Sequence, residues 1–328
     1  MTAEFEPPVP VPPAGPVAPV HPGPPPADPE RPEGIAGPEA SVVPEPREEQ
    51  RWKPWSAWLA LLAGFAGALF GGVIVSLIGA ALGADLEDPP PAISLISTVV
   101  QDFSLIVAAL LFANMVSRPR PWQFGLRRPA KLLPAAGWFV LAYLAFIVFA
   151  AVWISALDLS DTKDSLPEDL GAKDSDVALI SVAILVCVIA PICEEFFFRG
   201  FFFRALSNWR GIWPAAIVTG LVFGGIHAAG SPVGFLVPLA FLGFTLCILT
   251  WKTRSLYPAI VLHCVNNSLA YGSSVGWSAG SRVIAIAASL AVIFLVLSLV
   301  RRLAGPPPGP ALPIAPVRPP AHHPAPQA

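Results

Sequence analysis

Eight stretches of this chain are almost entirely apolar, and each is longer than a β-strand. A bilayer core of about 30 Å requires roughly 20 apolar residues per helix, which all eight approach or exceed. The sequence therefore predicts a bundle of about eight transmembrane helices. The predicted spans are residues 55–82, 92–117, 133–157, 177–205, 211–229, 234–252, 256–274 and 282–300.

The composition agrees with a membrane protein. Hydrophobic residues make up 54% of the chain, charged residues only 13%, and the mean hydropathy is +0.64. A soluble domain usually carries about 25% charged residues. The net charge of −2 and the lack of a basic patch with interleaved aromatics exclude nucleic acid as an expected partner. We expect an all-α, multi-pass protein of the cell membrane, with the lipid bilayer as its surroundings.

Proline is concentrated at both ends of the chain. Such segments bury little apolar area and do not continue a helix. We expect disordered proline-rich tails at residues 1–50 and 305–328, and a transmembrane domain at 51–304.

The charges of the predicted loops set the orientation. Lys and Arg gather before span 1, after spans 2, 4 and 6, and at the end of span 8, whereas the alternate loops are acidic or uncharged. Since basic residues accumulate on the cytoplasmic side, both termini are predicted to be cytoplasmic. Gly67 and Gly71 in span 1 have the spacing that favours close helix packing. The four cysteines lie in apolar segments without CxxC spacing, so we expect buried free thiols.

Ionisable groups within the spans are the candidates for function, because charge inside a membrane is costly. These groups, with two neighbouring amides, are Asp102, Glu194, Glu195, Arg199, His227, His263, Asn266 and Asn267. Glu195 and Arg199 are four residues apart and can pair on one helix face, which leaves Glu194, about 100° away, free to act. His263 and Asn267 share another face, with Asn266 rotated away.

These residue types suit amide hydrolysis. A carboxylate in a low-dielectric site can act as general base towards water, and a nearby imidazole can orient that water. A second histidine with an asparagine amide can donate hydrogen bonds to a developing oxyanion. Each residue also has a structural interpretation. The Glu195–Arg199 pair could anchor a helix end, either histidine could be a core residue, and Asp102 could have a structural partner or mark an ion path.

Three short motifs resemble those of the CPBP family of intramembrane proteases, which includes type II CAAX prenyl endopeptidases and the bacterial Abi and lysostaphin resistance protein A-like proteins. "EEFFFR" at 194–199 resembles its EExxxR motif, "FGGIH" at 223–227 its FxxxH motif, and "HCVNN" at 263–267 its HxxxN motif. The motifs occur in the family order, and the resemblance covers about residues 177–274.

The resemblance implies a glutamate-dependent intramembrane endopeptidase acting on membrane-associated or CAAX-like substrates near the cytoplasmic leaflet. It implies that Glu194 and His227 activate water, that His263 and Asn267 form the oxyanion hole, and that Glu195 and Arg199 support them. Two Glu and two His could ligate zinc, but the HxxxN spacing and the absence of HExxH favour a site without a metal or other cofactor. The oligomeric state and the substrate's prenylation stay open.

Two other classes of function compete with the protease. One is a non-catalytic membrane scaffold or bacteriocin-immunity-type protein on the same fold, and the other is a transporter that uses Asp102 and Glu194 as proton carriers. No inverted repeat is apparent in the hydropathy, which disfavours the transporter. Helix rise also places His227 about 24 Å from the start of span 5, deeper than Glu194, at about 15 Å. We therefore expect span 4 to extend beyond the membrane, or span 5 to start deeper or tilt.

Overall fold

The computed structural model describes residues 52–162 and 164–305, and within these ranges it contains helices and no strands. The predicted tails, 1–50 and 305–328, lie outside the described residues apart from Gly305. The helices are α1 (Pro54–Ala81), α2 (Pro91–Asn114), α3 (Leu132–Ala156), the short α4 (Leu166–Asp169), α5 (Asp176–Arg210), α6 (Ile212–Ile226), α7 (Leu236–Thr253), α8 (Tyr257–Ser274) and α9 (Ala279–Ala304).

The described chain contains seven helices that are long and apolar enough to cross a membrane. They are α1, α2, α3, α5, α9, and α6 and α7 with their flanking 3₁₀ turns. The eighth predicted span forms a helix, α8, but it is not among these seven. Its 18 residues include His263, Asn266 and Asn267, and several of its residues are buried inside the bundle. The chain is therefore a polytopic all-α membrane protein with one polar inner helix.

The basic loops come together at one end of the bundle, which we call the basic end. The side chain of Asn208 donates to the Trp52 carbonyl over 3.1 Å, which joins the end of α5 to the start of α1. Leu256 N donates to the Gly125 carbonyl over 2.8 Å, which joins the start of α8 to the loop after α2. The predicted alternation of basic and non-basic loops is thus present in the fold.

The other loops meet at the opposite end, which we call the acidic end. Trp153 Nε1 donates to the Gly234 carbonyl over 2.8 Å, and Ser231 Oγ donates to Asp164 Oδ2 over 3.2 Å. The first bond ties the last turn of α3, and the second ties the loop between α3 and α5, to the loop between α6 and α7. The segment 164–170 of the α3–α5 loop, which includes α4, therefore lies against the α6–α7 turn.

Close helix contacts are made at glycines. A Cβ on Gly71 would lie 2.4 Å from Val100 Cγ1, so the predicted small-residue packing of α1 occurs against α2. An unpredicted contact joins α6 to α7, where a Cβ on Gly224 would lie 2.5 Å from the Leu236 carbonyl oxygen. Helices α1, α3 and α9 expose most of their apolar side chains, as expected of helices facing lipid, whereas α5 to α8 are more buried.

Helix α5 is the longest, with 35 residues, and it contains two wide π-helical segments, Leu185–Ile189 and Phe196–Phe202. Single π turns within α-helices are frequent at functional sites. The helix continues past the predicted end of span 4 at residue 205 to Arg210. At 35 residues α5 is longer than a bilayer requires, which agrees with the expectation that span 4 extends beyond the membrane; that extension stays a prediction.

Candidate active site

The buried centre of the site is an ion pair on α5. Arg199 Nη1 donates to Glu195 Oε1 over 2.7 Å, and both side chains are fully buried. Arg199 Nη2 donates to the Gly243 carbonyl over 3.0 Å, and the guanidinium lies 4.3 Å from the centre of the Phe223 ring. The ion pair that the sequence spacing predicts is therefore formed, and it ties α5 to α6 and α7.

His263 is a third member of this buried group, which the sequence did not predict. Its Nδ1 donates to the same Oε1 of Glu195 over 2.9 Å, because an ionised carboxylate only accepts. Glu195 therefore fixes the orientation of the His263 ring from a position 68 residues earlier in the chain. Helical spacing relates residues within one helix, so no local signal could have revealed this contact.

Glu194 points away from the ion pair, as the helix angle predicts. Its Oε2 lies 3.9 Å from His263 Nε2, beyond hydrogen-bonding distance. Among the described residues, this oxygen has no hydrogen-bond partner. The side chain is 14% exposed, whereas that of Glu195 is fully buried. Each glutamate has one oxygen without a partner among the described residues, but Glu195 is buried and bonded to Arg199 and His263 through Oε1, whereas Glu194 faces the cavity.

His227 lies at the end of α6, where its ring is oriented by its own helix. The Phe223 carbonyl accepts a hydrogen bond from His227 Nδ1 over 2.7 Å. A carbonyl cannot donate, so Nδ1 carries the proton of the neutral ring and Nε2 is left as an acceptor. The Phe223 ring contacts the rings of Phe198, His227 and His263, with centroids 4.8 to 5.8 Å apart. Phe223 therefore brings α5, α6 and α8 together at this level.

Asn267 and Asn266 both lie beside the site. Asn267 Nδ2 donates to the Val186 carbonyl over 3.0 Å, which uses one of its two amide hydrogens. Asn266 Nδ2 donates to Asn267 Oδ1 over 3.4 Å. The expectation that Asn266 is rotated away from the site is wrong, because both asparagines line the same cavity. The cavity is wide enough to be reached by neighbouring residues on one helix.

The site residues surround a cavity of about 590 Å³. Its polar lining includes Asp102, Glu194, His227, His263, Asn266 and Asn267, and its remaining walls are largely apolar. Glu195 and Arg199 lie behind the wall and do not line it. A cavity of this size and character is typical of a binding site for a substrate segment. Asp102 on α2, also a candidate from the sequence, lines the same cavity as Glu194.

The donor set was tested against zinc, which prefers about four ligands from Cys, His, Asp and Glu. Within residues 52–162 and 164–305, no three such side chains are arranged to hold an ion. Glu195 is instead bonded to a cation, Arg199, and to His263 Nδ1 through the same oxygen. The four cysteines are buried free thiols.

Residues 176–269 match the family model described as "Type II CAAX prenyl endopeptidase Rce1-like". The matched region contains all three motifs and every residue of the site except Asp102. Neither the curated proteins nor the solved structures gave a match.

Proposed function

We propose that the chain is a glutamate-dependent intramembrane endopeptidase of the CPBP family, which the match of residues 176–269 to the type II CAAX prenyl endopeptidase Rce1-like model supports. Its substrates are membrane-associated proteins, and the reaction is hydrolysis of a peptide bond within the cavity. The observation that carries this proposal is the contrast between the two glutamates. Glu195 is fully buried and bonded to Arg199 and His263, whereas Glu194 is partly exposed at the cavity that His227 and His263 also line, where its Oε2 has no hydrogen-bond partner among the described residues.

Glu194 acts as general base, and His227 orients the water. His227 Nε2 can accept one hydrogen bond from a water, because Nδ1 holds the ring's proton against the Phe223 carbonyl. Glu194 takes the other water proton, and the oxygen adds to the substrate carbonyl carbon. The C–N bond then breaks as the proton on Glu194 passes to the leaving amine.

His263 and Asn267 stabilise the oxyanion that forms in between. Asn267 has a second amide hydrogen that the Val186 carbonyl does not use. His263 donates from Nε2 when its ring is protonated, since Nδ1 already donates to Glu195. The charges support this form. Glu194 and Glu195 carry two negative charges against the one positive charge of Arg199, and an imidazolium at His263 makes the buried group neutral.

No step of this mechanism uses a metal, and metal independence is part of the proposal. The support for it is chemical: Glu195 Oε1 is bonded to Arg199 and His263, and Arg199 is a fixed cation next to the glutamate pair that a second cation would bind. Two like charges at this distance in a low-dielectric interior repel strongly.

The test is comparative proteomics of membrane fractions from cells that express the wild type or Glu194→Gln. New protein termini are expected in the wild-type fractions only. The matched control is Arg128→Gln, which changes an exposed charged residue at the basic end, outside the cavity, and should leave the cleavage pattern unchanged. If Glu194→Gln supports the same termini as the wild type, the proposed mechanism is wrong. If it restores a cellular phenotype without cleavage, the chain is a scaffold.

A further inference from the structure

The cavity that contains Glu194 extends to one end of the bundle. Asp164 and Leu166 in the loop after α3, and Ala229 and Ser231 in the turn after α6, line the same cavity as Glu194. All four belong to the acidic end as defined above. Ala229 and the adjoining Gly230 are exposed, so the lining reaches the surface there.

The opposite route is filled by aromatic side chains. Six phenylalanines of α5 lie between Glu195 and the basic end, and each is at most 8% exposed: Phe196, Phe197, Phe198, Phe201, Phe202 and Phe203. The Phe124 ring from the basic-end loop lies 4.4 Å from that of Phe196, and the Trp52 ring lies 4.9 Å from that of Phe201. None of these eight residues lines the cavity. The second half of "CEEFFFRGFFFR" thus closes the site towards the basic end.

The short length of α6 leaves room for the cavity on the side of Glu194 that faces the acidic end. Its last residues are level with Glu194, because Phe223 contacts Phe198 and His227 follows one turn later. From Asp176 to Glu194, α5 rises about 27 Å towards this level from the acidic end, at about 1.5 Å per residue. The α6–α7 turn therefore leaves a recess beside α5, which the segment 164–170 partly covers.

The acidic end carries a strong negative charge. Its loops and helix starts contain ten acidic residues against Lys163, Lys173 and Arg282, a net charge of −7 (three minus ten). The acidic residues are Asp85, Glu87, Asp88, Asp158, Asp161, Asp164, Glu168, Asp169, Asp174 and Asp176. Asp164 is itself part of the cavity lining. Field lines from such a cluster raise the local concentration of positively charged groups at the mouth of a cleft.

We propose that the substrate enters the cavity from the acidic end and that the entering peptide segment is positively charged. The proposal rests on the proposed protease function for the identity of its ligand, but the route of entry does not. Because basic loops mark the cytoplasmic side, the acidic end is non-cytoplasmic. The substrate class is a cationic segment of a membrane-associated protein presented outside the cytoplasm. This differs from the cytoplasmic-leaflet cleavage that the family resemblance implies.

The route is tested by cysteine labelling with a membrane-impermeant maleimide on intact cells. Ala229→Cys reports the mouth, Asn266→Cys the interior of the cavity, and Ala130→Cys an exposed loop position at the basic end. The four native cysteines are buried, so the unmodified chain gives the background. Ala229→Cys and Asn266→Cys should be labelled in intact cells, and Ala130→Cys only after permeabilisation.

Labelling of Asn266→Cys only after permeabilisation, together with Ala130→Cys, would overturn the route. The readout needs no substrate, so a chain without protease activity would still give an answer. Proper folding of each variant is checked by its elution as a single species after purification. If Asn266→Cys does not fold, Ala270→Cys, another cavity-lining position, replaces it.

The charge preference is tested with purified Glu194→Gln protein and two fluorescent peptides of equal length, one carrying lysines and one glutamates. At low salt the lysine peptide should bind about two- to fivefold more tightly, as expected for exposed ion pairs of up to about 1 kcal/mol. Asp164→Asn should reduce this ratio, and high salt should reduce it further. Equal binding, a preference for the glutamate peptide, or no binding of the lysine peptide would contradict the proposed substrate class.

A second observation concerns Asp102. This residue is 3% exposed, its Oδ2 has no hydrogen-bond partner among the described residues, and it lines the cavity. Glu194 lines the same cavity, on the part of α5 that packs against α2, and its Oε2 is also without a hydrogen-bond partner among the described residues. The other ionisable groups around it are the Cys193 thiol next to Glu194, Glu195, Arg199 and His263 behind Glu194, and His227 across the cavity, while α1 contributes none.

We infer that Asp102 and Glu194 hold one proton between them. Two buried carboxylates near each other do not both stay ionised, and a protonated Asp102 can donate to the free oxygen of Glu194. Asp102 is then a positioning residue: it keeps the proton, and Glu194 stays ionised and oriented towards the water that it activates.

Infrared difference spectroscopy of the purified protein tests this inference. The wild type should show a carboxylic acid C=O stretch that Asp102→Asn removes. Glu194→Gln should shift the frequency of this band, because it replaces the acceptor of the Asp102 proton. Asn114→Gln, a change at an exposed amide at the end of α2 and outside the cavity, should leave the band in place. The absence of such a band, or a band that Glu194→Gln does not move, would contradict the shared proton.

Discussion

Replacement of Arg199 by methionine should destabilise the fold strongly, because the change leaves a buried charge without its partner. Arg199 donates to Glu195 Oε1 over 2.7 Å and to the Gly243 carbonyl over 3.0 Å, and it is fully buried. Without the guanidinium, Glu195 keeps only the hydrogen bond from His263. Breaking a buried ion pair from one side costs about 3–5 kcal/mol.

The double variant Arg199→Met/Glu195→Gln separates this cause from a simple packing defect. With both charges removed, no uncompensated ion is buried, and replacement of a buried pair by neutral residues is often close to neutral. The double variant should therefore be more stable than Arg199→Met alone by at least about 2 kcal/mol. The control is Arg210→Met, which removes an exposed arginine stacked on Trp209 and should cost less than about 1 kcal/mol.

The free energy of unfolding is measured by denaturant titration of each purified variant in the same detergent, followed by tryptophan fluorescence. A single Arg199→Met variant that loses less than about 1 kcal/mol would show that the ion pair does not carry the expected desolvation energy. A double variant as unstable as the single one would assign the loss to packing against Phe223 and Gly243.

Three further predictions follow from particular contacts. Gly224→Ala should lower the free energy of unfolding by about 1–3 kcal/mol, because the added Cβ would meet the α7 backbone. Gly225→Ala should not lower it, because no atom lies within 4 Å of the added Cβ. Denaturant titration of both variants measures the difference. Asn267→Ala should reduce kcat by about 10²–10³-fold, as for loss of an oxyanion-hole donor, with a smaller effect for Asn266→Ala. An excess of EDTA or 1,10-phenanthroline should leave the hydrolysis rate of the purified enzyme unchanged. Loss of hydrolysis with the chelator, followed by recovery when zinc is added, would contradict metal independence.

Much of the architecture was predictable because the lipid environment imposes simple rules. All eight apolar runs form helices, and the loop charges assort to the two ends as expected. The Glu195–Arg199 pair was also predictable, since helical spacing fixes which neighbours share a face. The cytoplasmic location of the termini stays a prediction, as do the catalytic roles of Glu194 and His227.

Contacts between helices were not predictable in the same way. The bond from His263 to Glu195, the position of Asp102 beside Glu194 and the packing of Phe124 on Phe196 depend on how distant helices are placed. The two π segments change the rotation of α5, and one sequence carries no clear signal for them. Helix α8 is less apolar than the other spans because it carries His263, Asn266 and Asn267. These polar side chains line the cavity inside the bundle.

The most direct test of the account is the hydrolysis rate of Glu194→Gln on a membrane substrate identified from the cleavage products of the wild type. Both proteins are reconstituted in vesicles at equal amounts, with folding confirmed by equal unfolding midpoints. Glu194→Gln should lower the hydrolysis rate by at least about 10²-fold, because the amide cannot take a proton from water. Cleavage at the wild-type rate would contradict the central role of Glu194.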